Sequence, residues 1–215
     1  MKNKYAGRTF SLAEENAPVF GCTISEEIVR DTFCFSLAPE TDISAEIYPY
    51  HKFLIIGSGQ ADVYSTDGKI ATLKAGQCIL TKTGIPVGVR TKDSTVYTEI
   101  IIRRNEGMNK AITAGAVFKL ADLVPYQENK IVNMDIINNE KMKFVVMAFD
   151  EGTGLSEHAA PGEALLFALD GEAVIGYEGE AYPIKQGENF QFAANGRHWI
   201  KADNKFKMAL LLTLE

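Results

Sequence analysis

The chain is short of the residues on which most catalytic chemistries depend. Its 215 residues include three cysteines and three histidines. Cys22, Cys34 and Cys78 are odd in number and none falls in a Cys-x-x-Cys spacing, which excludes a disulfide framework. Their apolar neighbours predict buried thiols. No run approaches the roughly 18 apolar residues of a membrane span. Met1–Tyr5 leads directly into repeated sequence with no apolar signal region, so a cytoplasmic protein is expected. The net charge of −6 argues against nonspecific nucleic-acid binding, which needs a basic surface to neutralise phosphates, so nucleic acid is not expected as a partner. A Gly-x-Gly-x-x-Gly turn, a phosphate-loop lysine, a Gly-x-Ser-x-Gly elbow and a helix-turn-helix pattern are all missing. Long helical periodicity is absent as well.

What the chain has instead is strand signal. Thr95–Ile102 and Lys143–Phe149 are short and rich in β-branched or aromatic residues. Turn residues bound such segments at Gly57-Ser58-Gly59, Asp67-Gly68, Asp170-Gly171, Glu178-Gly179 and Asn195-Gly196. Turns recurring about every eight to twelve residues predict an all-β sandwich or barrel. Two helical turns are expected, at 11–16 and 119–123. The first has Ser11 followed three residues later by Glu14, a capping-box pattern.

The chain is also written twice. Asp67-Gly68-Lys69-Ile70-Ala71-Thr72-Leu73-Lys74-Ala75-Gly76 returns as Glu178-Gly179-Glu180-Ala181-Tyr182-Pro183-Ile184-Lys185-Gln186-Gly187, at an offset of 111 (187 − 76). Ala6-Gly7 and Phe10 align with Ala114-Gly115 and Phe118. The polar stretch Asn105–Lys110 interrupts the strands, placing the domains at 1–107 and 108–215. Leu165–Leu169 and its counterpart Phe53–Ile56 are apolar at every position, so both faces should be buried. The outer face then needs a cover, from the sister domain or from a second subunit in a homodimer.

Gly154–Ala173, with Tyr182–Phe190 and Ala193–His198, resembles the two sequence motifs of the cupin superfamily, specifically the small conserved-barrel type. By the repeat, the resemblance extends to residues 30–104. It implies two tandem antiparallel jelly-roll barrels. Metal-dependent cupins take two histidines and a glutamate from the first motif and a third histidine from the second, a set suited to Fe, Mn, Ni or Zn. The corresponding positions here are His158, Ala160, Ala164 and His198 in the second half, and Glu46, Tyr48, Lys52 and Val87 in the first. Two ligands of four survive in one half and none in the other. Glu46 and Lys52 could pair with each other in the mouth of the first barrel, or form a polar grip for a ligand there. Strand alternation turns Glu163 away from the interior unless Pro161-Gly162 breaks the register, and the same parity puts His51 outside. Trp199 should face away from His198, toward the packing between the barrels.

Three functions remain open at this level. In the first, a small molecule binds in the second barrel, held by His158 and His198 in space released by Ala160 and Ala164 and walled by Leu166. In the second, a metal-dependent dioxygenase or isomerase uses His158 and His198 with a divalent metal and a further ligand such as Glu163. In the third, the barrels are structural and only present surfaces to partners. Whether the protein is an enzyme at all, and its substrate, are not written in these residues.

Overall fold

The computed structural model describes residues 4–21 and 23–214; Cys22 lies outside them. The elements follow in order: β1 (Thr9–Phe10), α1 (Leu12–Glu15), β2 (Thr23–Val29), β3 (Thr32–Leu37), β4 (Asp42–Ile47), β5 (His51–Ser58), β6 (Gln60–Ser65), β7 (Gly68–Lys74), β8 (Cys78–Leu80), β9 (Pro86–Arg90) and β10 (Thr95–Ile102). The second half continues with β11 (Val117–Phe118), a single 3-10 turn at Leu120–Asp122, β12 (Ile131–Asn138), β13 (Met142–Phe149), β14 (Gly154–Ala159), β15 (Glu163–Tyr177), β16 (Glu180–Lys185), β17 (Asn189–Phe192), β18 (Arg197–Lys201) and β19 (Phe206–Thr213). All pairings between these strands are antiparallel. Both expected helical turns form, and among the described residues no helix is long and apolar enough to cross a membrane.

The strands gather into two compact units. One holds Leu12–Asn105 and Lys110–Lys119. It contains a six-stranded sheet, β11-β8-β5-β10-β3-β2, and a four-stranded sheet, β4-β9-β6-β7. Its core is built from Leu37, Leu54, Ile56, Val63, Leu73 and Tyr97 among others. The other unit holds the segment ending at Ser11, Glu106–Asn109 and the chain from Leu120 onward. Its main sheet runs β1-β17-β15-β19-β13-β12, and β14, β16 and β18 complete it.

Each pairing in the first unit has its equivalent in the second, and the pattern extends to the short arms. The Gly7 amide donates to the Gln191 carbonyl at 3.1 Å, and the Gly115 amide donates to Leu80 at 2.7 Å. The two acceptors are again 111 positions apart (191 − 80). The repeated Ala-Gly is thus an anchor that lays a two-residue strand, β1 or β11, along β17 or β8. The units are therefore not contiguous halves of the chain: each takes its leading strand from the segment ahead of the other copy. A strand of two residues leaves almost no hydrophobic pattern, so this exchange has no clear sequence signal.

Asp170-Gly171 was expected to end a strand, and it lies inside β15 instead. Gly171 adopts φ +69°, and a Cβ there would collide with the Lys205 carbonyl oxygen. Glycine bends the strand without ending it, so β15 pairs with β19 up to Gly171 and with β16 from Glu172. Its counterpart Gly59, at φ +76°, separates β5 from β6. The apolar runs are buried on both faces, from Leu165 to Ala168 and from Phe53 to Ile56. Cys34 and Cys78 are buried thiols.

Candidate functional site

Strands β14 and β18 carry both histidines of the second half. They pair with His158 directly opposite His198. A bulge between Leu155 and His158 shifts the register just before the site, matched by one between Ile43 and Glu46 in β4. Such bulges re-aim side chains. The two imidazoles meet with centroids 4.3 Å apart and planes inclined at 56°. Nδ1 of His158 lies 2.8 Å from the Ser156 carbonyl oxygen, and Nδ1 of His198 lies 2.9 Å from that of Gly196. A carbonyl oxygen only accepts, so both Nδ1 atoms carry the proton. In the neutral rings each Nε2 is then a lone-pair acceptor.

The two rings differ in environment. His158 is exposed, whereas His198 is 3% exposed and lies under Phe192, with centroids 4.4 Å apart. Burial lowers the His198 pKa below the ordinary 6.5; its hydrogen bond to Gly196 opposes this and the neighbouring His158 reinforces it. Tyr177 pairs in register with His198, and its hydroxyl accepts the Ala193 amide at 3.3 Å. Arg197 alternates with His198 along β18; it is exposed and bound to Glu157, and its own amide donates to Glu178 at 2.6 Å.

The remaining sequence candidates fall into different places. Ala164 is buried and sits between Phe192 and Leu212 in the sheet. Phe192 therefore takes up part of the space that the alanine releases. Leu166 is fully buried beside Phe190 and belongs to the packed interior. Ala160 is half-buried, and its carbonyl accepts the Asn195 amide at 2.8 Å. Glu163 pairs with Thr213, in alternation with the inward Ala164 and Leu166, and does not join the histidines. Trp199 covers Gly176 of its own barrel wall, where any Cβ would strike the indole. His51 is half-buried and its Nδ1 meets the Thr81 carbonyl at 2.6 Å. A groove of about 430 Å³ opens elsewhere, at the Glu172–Lys185 end of the β15–β16 hairpin beside Asp203.

In the first unit, Glu46 and Val87 occupy the paired positions held by the histidines in the second. The expected Glu46–Lys52 ion pair does not form. The Tyr48 hydroxyl donates to Glu46 at 2.6 Å, and Lys52 pairs with Glu99 of β10 at 3.1 Å. The Lys52 ammonium also lies 3.8 Å from the centre of the Tyr48 ring. Lys52 and Glu99 face each other inside the barrel because β5 and β10 are neighbours, with Glu99 opposite Leu54. Burial raises the Glu99 pKa above the usual carboxylate range against the pull of Lys52. The hydrogen bond to Glu46 holds the Tyr48 hydroxyl above the ordinary tyrosine range. Burial pushes Tyr97 up as well. The sequence reading passed over Glu99, although a lone carboxylate within the apolar strand Thr95–Ile102 was a usable signal.

A catalytic metal in the second barrel needs three protein ligands in most known sites. Two imidazoles with available Nε2 atoms are present, and the positions that would complete the set are alanines. Among the described residues, no group of three or more His, Cys, Asp or Glu side chains is arranged to hold a metal. Two imidazoles alone are one protein ligand short of the usual catalytic set.

Residues 145–214 match the family described as Cupin domain. Among curated proteins, none matches the sequence. Among solved structures, the chain is similar to a cupin 2 conserved barrel domain protein from Leptotrichia buccalis, at 24% identity and a TM-score of 0.86, over 99% of both chains. It is also similar to a mutant salicylate 1,2-dioxygenase from Pseudoaminobacter salicylatoxidans, at 10% identity and a TM-score of 0.68, over 99% of this chain and 85% of that one. The adduct of that dioxygenase with gentisate aligns at 9% identity and a TM-score of 0.63, over 89% and 73%. At these identities the structural likeness establishes the fold.

Proposed function

We propose that this member of the cupin superfamily binds a small molecule at the open end of its C-terminal barrel, through His158 and His198, with little or no metal-dependent catalysis. The observation that carries this reading is the asymmetry between equivalent sites. One barrel offers two facing imidazoles with unshared Nε2 lone pairs. The other fills the same place with a closed set of internal partners, Glu46 with Tyr48 and Lys52 with Glu99. A site whose polar groups already satisfy one another has little to offer a ligand. The N-terminal barrel then acts as a scaffold.

A thermal-shift screen of metabolite classes, followed by calorimetric titration of any hit, tests this. His158→Ala should abolish binding and Glu46→Gln should leave it intact. Equal losses in both variants would remove the C-terminal site from the reading. A screen in which no class shifts the melting temperature would favour a purely structural or interaction role.

A second reading, a metal-dependent enzyme of dioxygenase or isomerase type, is favoured by one feature. Both Nδ1 atoms are held by carbonyls, the support that metal-bound histidines ordinarily receive. Elemental analysis of protein purified without chelator separates the two readings. Stoichiometric Fe, Mn, Ni or Zn lost in His158→Ala would support the enzyme, and well under one metal per chain would eliminate it.

A further inference from the structure

Resting on the binding site proposed above, we infer that its ligand belongs to the class of small amines in their ammonium form, and that carboxylates are rejected. The polarity of the imidazole pair is the first reason. Both Nδ1–H groups are spent on the Ser156 and Gly196 carbonyls, so the neutral pair presents two acceptors and no donor. A ligand that brings N–H donors is matched by this arrangement. A carboxylate, which only accepts, meets two lone pairs.

The second reason is aromatic: the half-buried Tyr177 pairs with His198 across the strands, and Phe192 backs the His198 ring from the buried side. Ring faces and edges of this kind suit an ammonium carried on an apolar body. The Tyr177 O–H is the neutral donor within the same wall, and a single phenol does not offset the acceptors around it.

Benzylamine, benzyl alcohol and benzoate share one ring and differ only in the head group, so they isolate the effect. Calorimetric titration of the full-length protein at about pH 7.5, where benzylamine is an ammonium, should rank benzylamine about tenfold or more tighter than benzyl alcohol. Benzoate should give no detectable heat. His158 is exposed, so His158→Ala should stay folded and lose the preference. His158→Lys replaces an acceptor by a cationic donor and should reverse the order in favour of benzoate. If benzoate binds the wild type as tightly as benzylamine, and binding still depends on His158, the ligand class is wrong while the binding site stands. Benzylamine binding that is unchanged in His158→Ala, or no binding by any probe, would overturn both.

Discussion

Replacing Lys52 alone, and replacing Lys52 together with Glu99, should change stability in different directions. The two side chains are 14% and 7% exposed and 3.1 Å apart. Removing one partner of a buried pair leaves an uncompensated charge and destabilises by about 3–5 kcal/mol. Lys52→Ala should lie at that end, because Glu99 has no way out of the barrel interior. Glu99→Leu should cost less, about 1–3 kcal/mol, since Lys52 is on a flexible stem and keeps the Tyr48 ring as a neighbour. The second barrel indicates what an apolar solution looks like, because Ala164 and Leu210 stand where the first has Lys52 and Glu99. The double variant Lys52→Ala/Glu99→Leu copies that solution and should recover most of the loss, ending within about 1–2 kcal/mol of wild type. Chemical unfolding followed by far-UV circular dichroism, with unchanged m-values, gives the three differences. The pH dependence supplies a second readout. The folded pKa of Glu99 is raised above 4.5, so its contribution is fully present below that value and is lost as pH rises through the folded pKa. Wild type should therefore lose ground to the double variant as pH increases above about 4.5, and the deficit of Lys52→Ala should shrink toward acid. Strict additivity of the two single losses in the double variant would refute the argument, because uncoupled residues add.

Other consequences can be checked with the same unfolding measurements. Gly171→Ala places a side chain at φ +69° against the Lys205 carbonyl, and should destabilise by more than about 1 kcal/mol, whereas Gly179→Ala, with open space at its Cβ, should suffer only the backbone penalty. Phe192→Ala removes a 1% exposed ring from above His198 and should cost about 3–5 kcal/mol. Because the folded pKa of His198 is lowered below 6.5, its share of stability is complete above that pH and is lost as pH falls through the lowered value. His198→Phe should flatten this decline on the acid side of about pH 6.5, and an unchanged slope would count against the burial argument.

The meeting of His158 and His198 was legible through the resemblance to the two cupin motifs, which puts one histidine on each. Strand alternation then assigned the faces of their neighbours. Glu163 yields to the same rule: it pairs with Thr213 on the face opposite Ala164 and Leu166. The partner of Lys52 was not legible from such rules. Glu99 lies 47 positions away (99 − 52) on a strand reached only through the β5–β10 pairing. Glu46 was the partner considered because it and Lys52 stand at positions corresponding to cupin metal ligands. In the structure Glu46 is exposed, with the Tyr48 hydroxyl as its partner, while Glu99 is buried. A buried carboxylate loses far more solvation than an exposed one, and so gains far more from a cation. Burial, which a lone charge in an apolar strand already signals, is therefore the better guide to pairing than place in a motif.

The same logic separates the two units chemically. In the first, Glu46 and Lys52 each take an internal partner, Tyr48 and Glu99. In the second, Ala160 and Ala164 carry no polar group, and His158 and His198 bear imidazoles whose Nδ1 atoms are held by the backbone. Backbone carbonyls orient the rings without neutralising Nε2, which is the condition for an outside group to be recognised there. A closed network has little left to offer a ligand, whereas an oriented but incomplete one keeps acceptors free, which is the premise of the binding site proposed above.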